Sequence, residues 1–423
     1  MKNEPNAAQW SRLDNAAKVF PANSSKADTK VFRFSCELYE PVEEEVLEEA
    51  LGQTLRFFPH YQSVLRHGLF WHYFESSDLE PEVCEENERP CSPLYDGNSR
   101  GLLYKVTYFG RRINVEVYHA LTDGTGALQF LRVLVFHYLV LLYGEQWRDD
   151  PPKMDYDATP AQKLDDSFRK YYSGEKSRYK SKMVRAHKLK GQRVAEHQIK
   201  VIEGLLSTQA ALTKARELGT TVTVMLTAIL MMAINDEMTV RERRRPVVLS
   251  VPVNLRKYFD SQTARNFFGV VNISYNFSER SGTFDDVVAE IDSALKRELE
   301  KEELQKRMNA MAALEHNPLA RAVPLVIKDA VIHTAVRITE LGVTASLSNI
   351  GKISMPAVFA PYIRLFDVFV STDKLQICMC SYGDQMVVSF TSAFVGTDIQ
   401  MRFFRALTAM GMAVTIISNP LDE

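Results

Sequence analysis

Apolar and polar positions along this chain repeat with two periods, one near 2 and one near 3.6, and the two predict different elements. Residues Val31–Leu38 read as a strand. Pro41 and the acids Glu43, Glu44 and Glu45 open a helix, where negative charge suits the first turn. Leu47, Leu51 and Leu55 then recur every four residues, Phe58 extends the stripe and Pro59 ends it. Strands are predicted around Tyr61–Leu65 and Leu69–Phe74, and a Glu/Pro/Asn/Gly-rich loop over Ser76–Arg100. Two more strands, Leu102–Phe109 and Arg111–Tyr118, flank a turn at Gly110. In the second, Ile113, Val115 and Val117 alternate with Asn114 and Glu116, which puts His119 on the apolar parity. A turn over Thr122–Gly126 leads into an apolar helix running to about Tyr143.

The pattern breaks over Gly144–Lys200, where apolar residues thin out and Asp149–Asp–Pro–Pro152 marks a boundary. It resumes near Ile199. Ser207 caps a helix that ends at Leu218–Gly219, and Thr221–Ile234 forms another. Val247–Val253 and Asn266–Phe277 read as strands, and Phe284 to about Leu314 as a helix with one highly charged face. Ala330–Ile338 continues helical. Strands return at Thr344–Ser348, Ile363–Ser371, Leu375–Ser381 and Met386–Ala393. A last helix starts near Thr397, with Ile399, Phe403 and Leu407 on one face. The order predicts an α+β protein of two lobes, each a mixed, largely antiparallel sheet with flanking helices, around a cleft. We divide it as residues 1–175, a linker over 176–198, and 199–423.

Composition agrees with two lobes: 423 residues exceed the roughly 250–300 at which one core stops growing. Hydrophobic residues make up 46% and charged residues 25%, which excludes collagen, coiled coil and wholesale disorder. Lys plus Arg number 51 against 53 Asp plus Glu, so no basic excess exists to hold a nucleic-acid backbone. The five cysteines, Cys36, Cys84, Cys91, Cys378 and Cys380, show no CxxC spacing, which argues against a disulfide framework and against zinc or another metal. The N-terminus lacks an apolar signal region, and cytoplasmic residence is the expectation. Of the two most apolar windows, Phe130–Tyr143 is interrupted by Arg132 and His137, and Val222–Ile234 is too short for a bilayer. Both read as core helices, with no membrane span.

Within the linker every charge from Lys176 to Arg193 is positive. Such a run is a solvated linker, or an arm that attracts phosphate.

The stretch that carries chemistry is Glu116–Val–Tyr–His–Ala–Leu–Thr–Asp–Gly–Thr–Gly126. It sets one His at a strand end, an Asp four residues on, and a Gly directly after. His119 at its unperturbed pKa of about 6.5 is a proton acceptor at neutral pH, and a strand end is a rigid mount. Gly124 allows a tight turn and bares N–H groups at a helix start. Spacing alone also permits a core histidine and an Asp123 that only caps the helix.

The stretch resembles the His-x-x-x-Asp-Gly core of the chloramphenicol-acetyltransferase-like superfamily, which includes CoA-dependent acyltransferases, plant BAHD enzymes, alcohol acetyltransferases and the condensation domains of peptide synthetases. Further segments follow in the family's order over most of the chain: Phe58–Pro–His–Tyr61 with Leu69–Phe–Trp–His–Tyr73, Val251–Pro–Val–Asn–Leu–Arg256, Asn266–Phe–Phe–Gly–Val–Val–Asn272, and Ser346–Leu–Ser–Asn–Ile–Gly351. Tyr118 stands where condensation domains carry a first His, and the Asp-Phe-Gly-Trp-Gly segment of BAHD enzymes is absent. The nearest resemblance is to stand-alone alcohol acetyltransferases.

The resemblance implies two acetyltransferase-like lobes with a tunnel between them and His119 midway as general base. An acyl group would pass from acyl-CoA, a co-substrate rather than a resident cofactor, to a small alcohol or amine. An acyl carrier protein is the alternative donor, and a non-catalytic binding module on the same fold the alternative of another class. Asp123 would turn from substrate and pair with Arg256 to fix the His-bearing loop. Asn272, Ser348 and Asn349 would line the tunnel or steady an oxyanion. Lys180, Lys182 and Arg185 of the basic run would meet the donor's phosphates.

Overall fold

The computed structural model describes residues 10–97, 100–156, 158–175, 184–196 and 198–420, and these fold around three sheets. In order, the first half gives β1 (Trp10–Arg12), β2 (Val31–Leu38), α1 (Glu44–Phe57), β3 (Ser63–His67), β4 (His72–Ser76), β5 (Val83–Glu85), β6 (Tyr104–Phe109), β7 (Arg112–Tyr118), α2 (Gly124–Tyr143), α3 (Pro160–Leu164) and α4 (Ser167–Tyr171). The second gives β8 (Lys200–Ser207), α5 (Thr208–Glu217), α6 (Val222–Asp236), β9 (Val247–Asn254), β10 (Phe268–Tyr275), α7 (Phe284–Glu298), α8 (Lys301–His316), α9 (Pro318–Ala322) and α10 (Leu325–Glu340). It closes with β11 (Ala345–Lys352), β12 (Ile363–Val370), β13 (Leu375–Tyr382), β14 (Gln385–Ser392), α11 (Asp398–Ala409) and β15 (Thr415–Ser418).

The first lobe is a five-stranded sheet, β12-β2-β7-β6-β5, whose apolar face packs on α1 and α2. Alternation sets that face: Phe34 and Cys36 of β2 with Ile113, Val115 and Val117 of β7 are buried in one core. Helix α2 is long and apolar enough to cross a bilayer, but two-thirds of its most apolar window is buried inside the protein. Burial in the core of this lobe accounts for its composition. A small sheet, β1-β4-β3, flanks this lobe.

The second lobe is a seven-stranded sheet, β10-β9-β11-β13-β14-β8-β15. Val247, Leu249, Val251 and Val253 of β9 point into a second core with α5, α6, α7 and α11. Phe403 and Leu407 of α11 are buried there, as the four-residue spacing predicts. All pairings are antiparallel except β5–β6, β11–β13 and β11–β9.

Several elements depart from the sequence reading. The cut at 176–198 does not separate the sheets, because β12, from residues 363–370, pairs antiparallel with β2 and completes the first lobe's sheet. Strand β5 lies inside the predicted loop 76–100, and α3 and α4 inside the patternless run 144–200. Strand β8 went unrecognised because Glu203 and Gly204 interrupt its apolar run. Gly204 is required there, since a Cβ would overlap the Phe404 ring. The predicted helix 284–314 is two helices, α7 and α8, with a break at 299–300.

Candidate active site

The turn after β7 delivers His119 to a cavity of about 490 Å³ lined by both lobes. The first lobe contributes Phe32, Phe34 and Gly124, and the second Asn254, Phe268 and Ser348. On the second-lobe side the cavity exists because two neighbouring strands part. Strands β9 and β11 pair only at Ala345–Leu249 and Ser346–Ser250, and beyond that point Pro252–Asn254 and Ser348–Asn349 form opposite walls. Pro252 carries no N–H, so it suits the place where the β9–β11 ladder ends.

His119 is held from several directions. Its backbone N–H donates to the Lys30 carbonyl at 2.9 Å. Its ring stacks on Phe20, with centroids 4.3 Å apart and planes 16° apart, and meets Phe32 edge-on at 5.0 Å. Its Nδ1 lies 3.3 Å from Oδ1 of Asn266, which is buried. The Asn266 amide is oriented by its other contacts, because Nδ2 donates to the Ala120 carbonyl at 3.2 Å, an obligate acceptor, and to Asp14 Oδ2 at 3.4 Å. Oδ1 therefore faces the imidazole as an acceptor, and the proton belongs on Nδ1. Nε2 is the basic nitrogen, with no hydrogen-bond partner among the described residues. Burial lowers the pKa of His119 from its ordinary 6.5, more than the hydrogen bonds and the Asp123 charge raise it. The imidazole is neutral at pH 7 and able to take a proton.

Asp123 spends both carboxylate oxygens inside the protein. Oδ1 caps α2, accepting from the N–H groups of Thr125 at 3.1 Å and Gly126 at 3.0 Å. Oδ2 accepts from Arg256 Nη1 at 2.8 Å and from the Phe267 N–H at 2.7 Å. Arg256, barely exposed, also donates to the carbonyls of Thr263 at 2.9 Å and Arg265. The pair clamps the start of α2 to the loop between β9 and β10. Gly126 marks the closest approach of that loop, for a Cβ would overlap both the Ala264 carbonyl and the Thr122 hydroxyl. The Thr122 hydroxyl donates to that same carbonyl.

Two other features limit the chemistry. Cys378 lines the cavity, but burial pushes its thiol up to about 12, so no thiolate nucleophile is present at neutral pH. A larger groove of about 730 Å³ on the polar side of the first sheet is lined by Arg33, Arg112 and Glu203. Its charges are already matched: Arg33 meets Glu116 at 2.7 Å and Glu86 at 2.6 Å, and Arg112 meets Glu37 at 3.0 Å and Glu203 at 3.1 Å. That network joins the lobes. The His119 imidazole lies in the smaller cavity.

No family model and no curated protein matches the sequence. The fold, however, is shared with solved structures over nearly the whole chain. Polyketide synthase associated protein 5 from Mycobacterium tuberculosis superposes with a TM-score of 0.64 at 14% identity, over 96% of this chain and 98% of that one. This is the chloramphenicol-acetyltransferase-like fold. The trichothecene 15-O-acetyltransferase TRI3 from Fusarium sporotrichioides shares it with a TM-score of 0.62 at 11% identity, over 97% of this chain and 96% of that one. The first condensation domain of the CDA synthetase does so at 0.60 and 16%, over 96% and 97%. Structures of the fold have been solved with coenzyme A and T-2, and with C8-CoA and Leu-SNAC.

Within this fold the residues singled out in the sequence separate. His119, Asp123, Gly124, Ser348 and Asn349 all line the cavity, and Arg256 meets Asp123 behind it. The Asn349 side chain is engaged, donating to Thr223 Oγ1 at 2.7 Å and accepting from the Gly351 N–H at 2.8 Å. The Ser348 hydroxyl has no partner among the described residues. Asn272 is a correction: it is exposed on β10 outside the lining, two residues beyond Val270, which does line the cavity. Lys180 and Lys182 lie outside the described residues. Arg185 is exposed and not part of the lining, while Lys188 donates to the Val343 carbonyl at 2.7 Å and Arg193 to that of Asp373 at 2.9 Å. The sequence reading missed Asn266 and Gly126. Both stood inside quoted motifs, but only their contacts across the chain show what they do.

Proposed function

We propose that this protein is an acyltransferase that moves an acyl group from acyl-CoA to the hydroxyl or amine of a small acceptor, with His119 as general base. The observation that carries the reading is a neutral imidazole in the cavity between the lobes, fixed through Nδ1 by Asn266 and open at Nε2. Nε2 takes the acceptor's proton as its oxygen or nitrogen attacks the thioester carbonyl. The tetrahedral adduct then expels the thiolate, which recovers the proton from the imidazolium. A thioester is already activated, so no acyl-enzyme is needed, in keeping with the unreactive Cys378 thiol. General-base assistance of this kind is worth about 10²–10⁴ in rate, and the alignment of two substrates in one cavity adds to it. Ser348 is the hydroxyl suited to the developing oxyanion.

Coenzyme A brings phosphates, and the cavity has a cation for them. Lys257 lines it, is exposed, and makes no ion pair among the described residues, whereas Lys296, also in the lining, is held by Asp292 at 2.6 Å. Lys257 is therefore a nearer partner for the donor than the run around Arg185. A carrier-protein donor is the second reading, because condensation domains share the fold.

The test is thiol release from short- and long-chain acyl-CoAs with a panel of alcohols and amines. Acceptor-dependent release by the wild type, lost in His119→Ala with the fold intact, is the expected result. Equal release by wild type and variant would remove His119 from the chemistry. Failure with every CoA ester but turnover of a carrier-bound acyl group would favour the second reading.

A further inference from the structure

Helix α10 shows water the side that a core helix hides. Val326 is 81% exposed, Ile327 54%, Val331 62% and Ile338 46%, and Leu341 follows just past the helix end. The spacing of 326, 330, 334 and 338, with 327 and 331 alongside, sets these positions on one face, where Ala330, Thr334 and Ala335 fill the gaps. The two acids of the helix turn the other way. Asp329 meets His72 at 3.2 Å, and the Glu340 carboxylate meets Lys374 at 3.4 Å. Only Leu325 of the helix is fully buried.

The stripe extends beyond the helix. The Leu325 N–H donates to the Leu69 carbonyl at 2.9 Å, which ties the helix start to the β3–β4 hairpin tip, where Leu69 is 74% exposed and Phe70 is exposed beside it. Lys328 locks this junction, donating to the carbonyls of Phe70 at 3.0 Å and Arg321 at 3.1 Å with its ammonium 3.5 Å from the Trp71 ring centre. Helical geometry places Arg337 and His333 along one border of the stripe and Lys328 along the other, with Arg321 ahead of it. Arg337, Lys328 and Arg321 supply the cations of the border, and the two carboxylates of α10 lie beyond it, Asp329 against His72 and the partly exposed Glu340 against Lys374.

An apolar stripe edged by cations, with a Leu–Phe tip at one end, matches one kind of partner: a bilayer surface bearing anionic headgroups. A second copy fits poorly, because a two-fold contact through this face would oppose Arg337 and Lys328 to like charges. We propose that the outward face of α10 and the Leu69–Phe70 tip form a docking surface for anionic lipid bilayers. The surface lies close to the reaction centre. His333 Nδ1 sits 3.2 Å from the carbonyl of Ala22, and two residues before Ala22 is Phe20, the ring stacked on His119.

The experiment is vesicle co-sedimentation of the full chain, with phosphatidylcholine alone and with about 30% phosphatidylglycerol, and it does not depend on enzymatic activity. The wild type is expected to bind the anionic vesicles, more weakly at high salt, as electrostatic attraction requires. The double variant Val326→Glu/Val331→Glu should bind at least tenfold more weakly with an unchanged melting temperature, since both side chains are exposed. Arg337→Gln should cost about fivefold on the anionic vesicles, the worth of about 1 kcal/mol per interfacial cation. Absence of wild-type binding to either vesicle, or equal binding by the double variant, overturns the proposal. So does a wild-type dimer that the double variant abolishes in sedimentation velocity without vesicles.

Discussion

Asp123 and Arg256, 133 positions apart, meet at 2.8 Å, and through them the loop carrying the candidate base is fastened to the second lobe. The carboxylate is filled on four sides by two capping N–H groups, the Phe267 N–H and the guanidinium. Nothing of it is left for substrate. Removal of one partner strands the other as a buried, unmatched charge, which costs about 3–5 kcal/mol. Asp123→Asn should therefore lower stability by about that amount in urea unfolding, while Arg256→Lys, which cannot reproduce the guanidinium fork, falls between wild type and Asp123→Asn. Equal urea midpoints for all three proteins would contradict the clamp.

The two glycines after Asp123 should respond in opposite ways to a methyl group. At Gly124 a Cβ comes closest to the tip of the flexible Ile350 side chain, at 3.3 Å, and makes ordinary contact with the Phe34 ring at 3.8 Å. At Gly126 it overlaps the Ala264 backbone, which cannot retreat without moving the loop that holds Arg256. Overpacking of this kind costs about 1–3 kcal/mol or more. Gly126→Ala should lower the melting temperature sharply and Gly124→Ala only slightly, a contrast that thermal unfolding of the two variants reads directly.

Asn266 Oδ1 faces Nδ1 of His119, and its loss should be felt in turnover more than in binding. In Asn266→Ala the Nδ1 proton loses its side-chain acceptor, an interaction worth about 1 kcal/mol, so kcat should fall about fivefold or more with the acyl-CoA KM nearly constant. Because burial holds the His119 pKa below its ordinary 6.5, the acid limb of the wild-type rate should be centred below pH 6.5. An acid limb centred at or above 6.5 would contradict a buried base.

A second histidine predicts acid sensitivity of the fold. Both ring nitrogens of His60 are sealed from water with no hydrogen-bond partner among the described residues, and burial, helped by the Arg265 and Lys163 cations, lowers its pKa to about 3. The unfolded chain binds this proton below about 6.5, whereas the folded chain binds it only near 3. The unfolded state thus holds more protons in that window, and stability falls as pH drops from about 6.5 toward 3, by up to ~1.4 kcal/mol per pH unit from this one group. His119 adds a slope of the same sign. His60→Leu should flatten the acid slope of urea unfolding between pH 7 and pH 5, and an unchanged slope would exclude His60 as a source.

Much of the fold was legible because its strands alternate cleanly. Val31–Leu38 matches its predicted bounds, and the β6–β7 pair falls within two residues of its own. The motif around His119 was legible too, since strand parity and turn chemistry are local. What escaped is what distant segments decide. Asn266 looks like any turn asparagine until β9 and β10 carry it to His119. Asn272 shares the parity of the cavity wall, but the cavity stops short of it, and parity says nothing of depth. Strand β8 is interrupted by Glu203, whose carboxylate is buried against Arg112 of the other lobe, so a charge that reads as surface in the sequence belongs to an interface. The second partner of β2, on the edge away from β7, lies more than 300 residues on, beyond the reach of any local pattern.

That last pairing bears on how the molecule is made. During synthesis the helices and strands of the first lobe emerge early, yet the edge of β2 has no neighbour until β12 leaves the ribosome, tens of seconds later at the ~5–20 residues per second of translation. Through that interval a row of bare N–H and C=O groups stands open to other chains. Nascent chains stalled before residue 363 should be cut by protease within residues 31–118, and chains stalled well past residue 370 should resist. The lobe that carries the histidine is synthesised first and completed last.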